Sequence, residues 1–308
     1  MGWRSVVVSQ PAYLSLERRQ LSVELASGGK AHIPLEDISA LVLDCPRLTL
    51  SQPLLCQLAE AGILVLTVNE QHLPNGIFIP YQGHYLGLKR LRSQLALGLP
   101  RCKKWQQQII RQKILNQRET LLQLEQTAPG AALHRMAKGV RSGDPDNLEG
   151  QAAALYFRYL FDPALIRGQS RFYNSALNYG YAVVRAAIAR QIAGAGLQPA
   201  LGLFHNNERN PFNLADDLIE PYRPLLDLWV ARQFPDEPDR QLTPVDKGKL
   251  VNFLHQDVAN NQDENLCTVL AHIDRMVQVL AAAMATGKSQ SLWLARLPQN
   301  SFQELEDE

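Results

Sequence analysis

The hydrophobic period of this chain changes once, and the change limits what it can build. Up to about residue 80 the apolar residues alternate in twos or form short β-branched runs, and from His84 onward they recur in threes and fours. Side chains alternate between the two faces of a strand but return to one face of a helix about every 3.6 residues, so neither segment can serve as the other. The chain therefore reads as α+β: a small N-terminal β-rich domain over residues 1–83, then a larger all-α domain over residues 84–308.

Within the first part, Leu21-Ser22-Val23-Glu24-Leu25 alternates and runs into a Gly28-Gly29 turn, and residues 38–43 and 63–68 read as short strands. Ser51-Gln52-Pro53 opens a helix with Leu54, Leu55 and Leu58 on one face and Gly62 as its stop. Asn75-Gly76 predicts a turn ahead of a last strand, Ile77-Phe78-Ile79-Pro80, after which β signals cease. In the second part, Trp105, Ile109, Ile110, Ile114, Leu121 and Leu124 mark an amphipathic helix over residues 101–126. Further helices are expected at 147–161, 174–195, 214–233 and 262–286, and residues 304–308 form an acidic tail.

Thirty-one Lys and Arg against 30 Asp and Glu leave a net charge of +1, but the charge is polarised. Residues 89–141 hold twelve basic side chains against Glu119 and Glu125, a local +10 that leaves the remainder at −9. Lys104, Arg111 and Arg118 recur every seven residues as a stripe on one helix side, a candidate footprint for a phosphate backbone. Cys45, Cys56, Cys102 and Cys267 form no C-x-x-C pair, so reduced thiols are expected. Only Val6-Val7-Val8 precedes the charged Glu17-Arg18-Arg19, which is no secretory signal, and no apolar run approaches the roughly 18 residues of a bilayer span. A cytoplasmic protein without a membrane partner is expected.

Acids and imidazole gather in places that packing does not explain. In Asp144-Pro145-Asp146-Asn147-Leu148-Glu149-Gly150, Asp146 or Asn147 can cap a helix with Leu148, Ala152, Leu155 and Tyr159 on its apolar face. Glu149 then lies in the first turn beside small alanines that would let DNA or a metal approach. Farther on come Gly202-Leu203-Phe204-His205, an Asn-rich loop, and Asp216 to Pro224. A helix over 214–220 puts Asp217 and Glu220 on one face, and Pro221 and Pro224 kink or end that turn. A structural alternative has Asp216 as a cap, Glu220 paired with Arg223 and His205 in the core. Two carboxylates and an imidazole suit a divalent-metal phosphodiester enzyme, with Mg²⁺ or, given the nitrogen donor, Mn²⁺. P-loop, dinucleotide, H-E-x-x-H and G-x-S-x-G motifs are absent from the sequence.

Three blocks in order carry a resemblance: N-L-E-G-Q-A-A at 147–153, N-S-A-L-N-Y-G-Y at 174–181, and His205 followed by N-P-F-N-L-A-D-D-L-I-E-P-Y-R-P at 210–224. They resemble the CRISPR-associated spacer-acquisition integrase, the universal adaptation protein of CRISPR systems, in its type II-like form. The resemblance implies Glu149, His205 and Glu220 as catalytic metal ligands, with Asp217 and Asn178 in support. It implies a homodimer built on the N-terminal domain and a helical catalytic domain. Two such dimers would flank a dimer of the second adaptation protein and hold a short duplex with 3′ overhangs for joining into leader-repeat DNA. A type II effector nuclease and an accessory adaptation protein would be further partners. Lys89, Arg90, Arg92, Lys103, Lys104, Arg111, Lys113, Arg118 and Arg141 would then track the prespacer backbone. His205 admits two roles, metal ligand or general acid. The rivals are a mobile-element integrase with the same constellation, a catalytically idle DNA-binding scaffold, and a generic metal-dependent hydrolase.

Overall fold

The computed structural model describes residues 2–70, 73–78, 84–160, 171–235, 239–263, 265–286 and 291–298. The sequence-predicted boundary near 83 and the acidic tail lie outside the described residues. In chain order the first part holds β1 (Arg4–Val8), β2 (Ala12–Glu17), β3 (Gln20–Leu25), β4 (Lys30–Pro34), β5 (Ile38–Leu43), β6 (Leu48–Leu50), α1 (Gln52–Glu60), β7 (Leu64–Val68) and β8 (Pro74–Phe78). One sheet runs β4-β3-β2-β6, and a second runs β1-β5-β7-β8 with its first three strands parallel.

The parallel sheet is buried on both faces, as its continuous apolar runs require. Leu41 and Val65 pack with Leu14, Leu21, Leu54 and Leu58 inside the β-rich part. Ala40, Val42, Leu64 and Leu66, one residue out of phase, belong instead to the core of the helices that follow. A buried ion pair, Lys247 Nζ to Asp44 at 2.6 Å, ties the end of β5 to the helical body.

The second part holds α2 (Gly87–Leu95), α3 (Leu99–Gln123), α4 (Gly130–Gly139), α5 (Leu148–Leu160), α6 (Arg171–Gly194), α7 (Asn213–Ile219), α8 (Arg223–Gln233), α9 (Pro244–Asn252), β9 (Asp257–Asn260), β10 (Cys267–Thr268), α10 (Val269–Thr286) and β11 (Ala295–Arg296). Helix α6 is the central strut, in contact with β7, β8, α7, α8, α9 and α10. The expected apolar face of α3 is buried at Trp105, Ile109, Ile110, Ile114 and Leu121. The same helix also buries Asn116 and Thr120. Asn116 Nδ2 donates to the Pro221 carbonyl at 2.7 Å, and Thr120 Oγ1 donates to the Pro224 carbonyl at 2.8 Å.

Several local expectations are corrected. Asn75-Gly76 is not a turn but lies inside β8, where Gly76 pairs with Thr67 in the place a Cβ would collide with the threonine hydroxyl. The reversal occurs earlier, closed by the Asn69 N–H to the Leu73 carbonyl at 2.9 Å. Strands do not cease after residue 80, since β9, β10 and β11 form a small antiparallel sheet. The described residues within 262–268 are accordingly not helix, and α10 starts at Val269. The segment 214–233 is broken into α7 and α8 by a 3₁₀ turn at Glu220–Tyr222, as its prolines dictate.

By length and composition, α10 is the one helix among the described residues that could cross a membrane, and half of it is buried in the fold. Its His272 has no exposed surface and its Nδ1 is hydrogen-bonded to the Tyr222 hydroxyl at 2.6 Å. Burial pushes this imidazole down to about 4. An unfolded histidine takes its proton near 6.5, so the neutral buried ring favours folding above that pH, and its contribution is lost as pH falls from there toward 4. Between pH 7 and 4 the protein is expected to lose about 3 kcal/mol more stability than His272→Gln. Urea unfolding of the two proteins across that range measures the difference, and equal losses would refute it.

Candidate active site

The site is built where α3, α5 and the α7–α8 junction meet. Asn147 has a positive φ of 50° and Asp144 one of 42°, a tight entry to α5. The cap of α5 is Asp144, whose Oδ1 accepts the Leu148 N–H and Oδ2 the Glu149 N–H, each at 3.0 Å. Of the two sequence candidates, Asp146 is held by Arg141 in a bidentate pair at 2.8 and 3.0 Å, while Asn147 does share in the cap. Asn147 Oδ1 accepts the Gly150 N–H at 3.3 Å. The buried face of α5 is Ala152, Tyr156 and Leu160, with Leu148, Leu155 and Tyr159 beside it. That rotation places Glu149 at its edge, with its side chain 27% exposed.

The acids of the α7 block divide into three environments. Asp216 caps nothing: Arg185 holds it at 2.5 and 2.9 Å, and Asn210 Nδ2 donates to it at 2.6 Å. Asn213 knots the preceding loop, donating to the carbonyls of Ala200 and Asn207 at 3.0 Å. Asp217 is fully buried and accepts the backbone N–H groups of Leu203, Phe204 and His205. It also accepts from His205 Nδ1 at 2.7 Å, which leaves the lone pair on Nε2. The hydrogen bond to Asp217 raises the His205 pKa above its ordinary value. Gly202 permits this cradle, because a Cβ there would lie 2.9 Å from Asp217 Oδ2. His205 is not a core histidine, for its side chain is 43% exposed.

Glu220 lies in the 3₁₀ turn with its side chain 6% exposed. Arg223 Nε donates to its Oε1 at 2.9 Å, the pair foreseen in the structural alternative. Lys113 Nζ approaches its Oε2 at 2.5 Å and Glu149 Oε1 at 2.7 Å. Burial acts to raise the Glu220 pKa, but Lys113 and Arg223 outweigh it and hold the carboxyl below its ordinary value. Behind these groups lies a cavity of about 190 Å³ lined by Lys113, Ala153, Tyr181, Glu220, Arg223 and Asp227, among others. Asp227 accepts the hydroxyls of Tyr156 and Tyr181, and the Arg223 guanidinium stacks 4.7 Å from the Tyr181 ring.

Glu149 and Glu220 are thus brought to one cation, with His205 on the neighbouring loop. Among the described residues no three His, Cys, Asp or Glu side chains are gathered into a ready metal cage. The donor set still fits a divalent cation: two carboxylates, an imidazole nitrogen oriented by a buried acid, and Glu220 Oε2, a buried oxygen without a hydrogen bond of regular geometry. Asn178 is exposed on α6 and takes no part in the hydrogen bonds around Asp217 or Glu220, so its supporting role has no contact behind it.

The basic residues separate likewise. Lys89, Arg92, Lys103, Lys104 and Arg111 are exposed on α2 and α3. Arg90 is bound to the Ala195 carbonyl, Arg141 to Asp146, and the half-buried Arg118 lies 3.7 Å from Glu119. Lys113, expected on the DNA-tracking surface, is corrected to the carboxylate pair, because the α3 turn that carries it faces α5 and the 3₁₀ turn rather than solvent. Lys113, Arg185 and Asp144 were not foreseen as parts of this framework.

A family model described as CRISPR associated protein Cas1 matches residues 5–238. The CRISPR-associated endonuclease Cas1 of Neisseria meningitidis serogroup C (strain 8013) is 42% identical over 308 residues, covering 98% of this chain and 99% of that protein. A casposase bound to integration product shares the fold with a TM-score of 0.72 at 18% identity, covering 100% of this chain and 96% of that one. A Cas6-RT-Cas1–Cas2 complex shares it with a TM-score of 0.67 at 21% identity, over 94% of this chain and 35% of the other.

Proposed function

This chain belongs to the Cas1 family of CRISPR-associated proteins, and from that premise we propose that it is an adaptation integrase and endonuclease. It joins the 3′-hydroxyl ends of short prespacer DNA into the leader-proximal repeat of a CRISPR array by metal-dependent transesterification. The observation that carries this reading is the convergence of Glu149 and Glu220, remote in sequence, on one ammonium beside a histidine oriented by a buried acid.

Glu149, Glu220 and His205 Nε2 would hold the divalent cation, Mg²⁺ or Mn²⁺. Once bound, the cation supplies Lewis-acid polarisation of the target phosphate and stabilises the charge that develops there. Asp217 keeps the imidazole in the tautomer and orientation the site needs. Arg223 neutralises the second oxygen of Glu220 and adds positive charge on the side of the cavity. The prespacer 3′-hydroxyl gives its proton to solvent as its oxygen forms the new bond to phosphorus, and the target strand's 3′-oxygen departs, taking a proton for which His205 is the alternative donor.

The N-terminal β-rich part is proposed as the dimerisation domain, with the division near 83. A dimer of the second adaptation protein is proposed as partner, a reading supported by the fold shared with the Cas1–Cas2 assembly. The fold likeness to casposase leaves mobile-element integration as a second reading, and the full-length 42% identity to a CRISPR relative favours adaptation.

The test is a strand-joining assay with a labelled short duplex bearing 3′ overhangs, a supercoiled leader-repeat plasmid, the second adaptation protein and Mn²⁺ or Mg²⁺. Metal-dependent joining is expected. Binding without joining in every divalent metal would favour the idle scaffold, and cleavage without joining the generic hydrolase.

The exposed cations of α2 and α3 form the proposed backbone-tracking surface. Charge reversal at Lys104, Arg111 and Arg118 together is expected to weaken duplex binding for every sequence. It should also flatten the logarithmic salt dependence by about 2, since each lost phosphate contact removes roughly 0.9 and Arg118 is half spent on Glu119. Anisotropy titrations at several salt concentrations measure this, and an unchanged slope would take the stripe out of the interface.

A further inference from the structure

We propose that Lys113 is a built-in competing cation of the active site: its ammonium bridges Glu149 and Glu220 in the metal-free protein and must be displaced before a divalent cation can bind them. The inference rests on the metal-site reading above and adds to it the residue that sets how much metal the site demands.

The geometry excludes a passive surface role for this lysine. Its side chain is 12% exposed, and Nζ lies 2.7 Å from Glu149 Oε1 and 2.5 Å from Glu220 Oε2. A lysine elsewhere on the basic stretch meets solvent, but residue 113 falls on the turn of α3 that packs against both α5 and the 3₁₀ turn. The two carboxylates it bridges come from different elements, and within ion-pair distance Glu149 has no other basic partner among the described residues. Two carboxylates that share a poorly solvated site repel unless a cation lies between them. Arg223 cannot be that cation, because it serves Glu220 Oε1 alone. Lys113 therefore holds the pair together before metal arrives and keeps Glu220 Oε2, the buried oxygen without a regular hydrogen bond, from being left with no counter-charge.

An ammonium and a divalent ion cannot share this space. Both seek Glu149 Oε1 and Glu220 Oε2, and at such separations like charges repel strongly in a site of reduced dielectric. Metal entry thus requires the flexible lysine stem to swing aside, and the cavity lined by Lys113, Ala153, Tyr181, Arg223 and Asp227 gives it somewhere to go. Asp227, whose carboxylate holds the Tyr156 and Tyr181 hydroxyls, adds negative charge to the wall of that cavity. The carboxylates are thereby pre-gathered, yet engaged only above a threshold of free metal.

Mn²⁺ binding by wild type, Lys113→Met and Glu220→Gln, followed by electron paramagnetic resonance without DNA, tests this directly. Methionine keeps the length of the lysine stem without its charge, so Lys113→Met is expected to bind Mn²⁺ roughly tenfold or more tightly than wild type. Glu220→Gln is expected to bind more weakly. A second measurement needs no variant: the rate at which an acylating reagent labels the Lys113 amine in wild type, read by peptide mass spectrometry. Labelling should accelerate on adding Mn²⁺ as the ammonium leaves its two carboxylates. Equal or weaker affinity in Lys113→Met, or labelling that metal leaves unchanged or slows, would overturn the role of Lys113 while the Glu220→Gln loss kept the metal site standing. Mn²⁺ binding that is absent from wild type or indifferent to Glu220 would instead overturn the metal site itself, and the competing role with it.

Discussion

Glu220→Gln is expected to lower strand joining by roughly two to three orders of magnitude while the duplex still binds. The glutamine amide keeps the size of the side chain and can still accept from Arg223, but it removes the charge that a cation would be held by. Loss of correctly placed metal costs on the order of 3–4 kcal/mol of transition-state stabilisation, and about 1.4 kcal/mol is a factor of ten. Glu149→Gln and His205→Ala should fall by comparable factors, and a double variant should fall little further, because as ligands of one ion they would act as a unit. Single-turnover joining at saturating Mn²⁺ gives these ratios. Joining by Glu220→Gln at the wild-type rate would make the acid a purely structural partner of Lys113 and Arg223.

Asp217→Ala carries the second large expectation, and it falls on folding as well as chemistry. The fully buried carboxylate accepts three consecutive backbone N–H groups and the His205 ring, so its removal orphans donors that water cannot easily reach. A stability loss of about 3–5 kcal/mol follows, together with a roughly 10- to 100-fold loss of metal affinity as the imidazole loses its orienting partner. Urea unfolding and Mn²⁺ titration measure the two effects separately. The pH dependence has a definite sign. Because Asp217 raises the His205 pKa, the stabilisation by this pair is complete below the unfolded histidine value near 6.5 and is lost as pH rises through the folded one. The gap between wild type and Asp217→Ala should therefore narrow on the alkaline side. Asp217→Asn, which can accept some of the same N–H groups, should lie between them.

Much of this site was readable before folding. The first-turn placement of Glu149 and the break at Pro221 follow from spacing and proline chemistry, and the structure has both, although α7 ends at Ile219 and leaves Glu220 in the 3₁₀ turn rather than on one helix with Asp217. What spacing could not reveal was the division of labour between the acids. Asp216, Asp217 and Glu220 lie within five residues, yet one faces Arg185, one faces three backbone amides and one faces Lys113. Their partners come from α6, from the loop before α7 and from α3, and no local pattern encodes which helix side will be adjacent. The heptad of Lys104, Arg111 and Arg118 likewise marked a basic helix side, but Lys113, two positions on from Arg111, points to another side altogether.

The sequence by itself determined the α+β division, the alternating strands, the length of the central helices and the residue types available for catalysis, because periodicity and backbone chemistry act over a few residues. Tertiary structure alone decided that Asn75-Gly76 would pair in a strand, that β9, β10 and β11 would meet, and that Lys113 would bridge Glu149 and Glu220. Those outcomes are set by which desolvated groups find a partner across the fold. That competition is settled only when distant segments share one core.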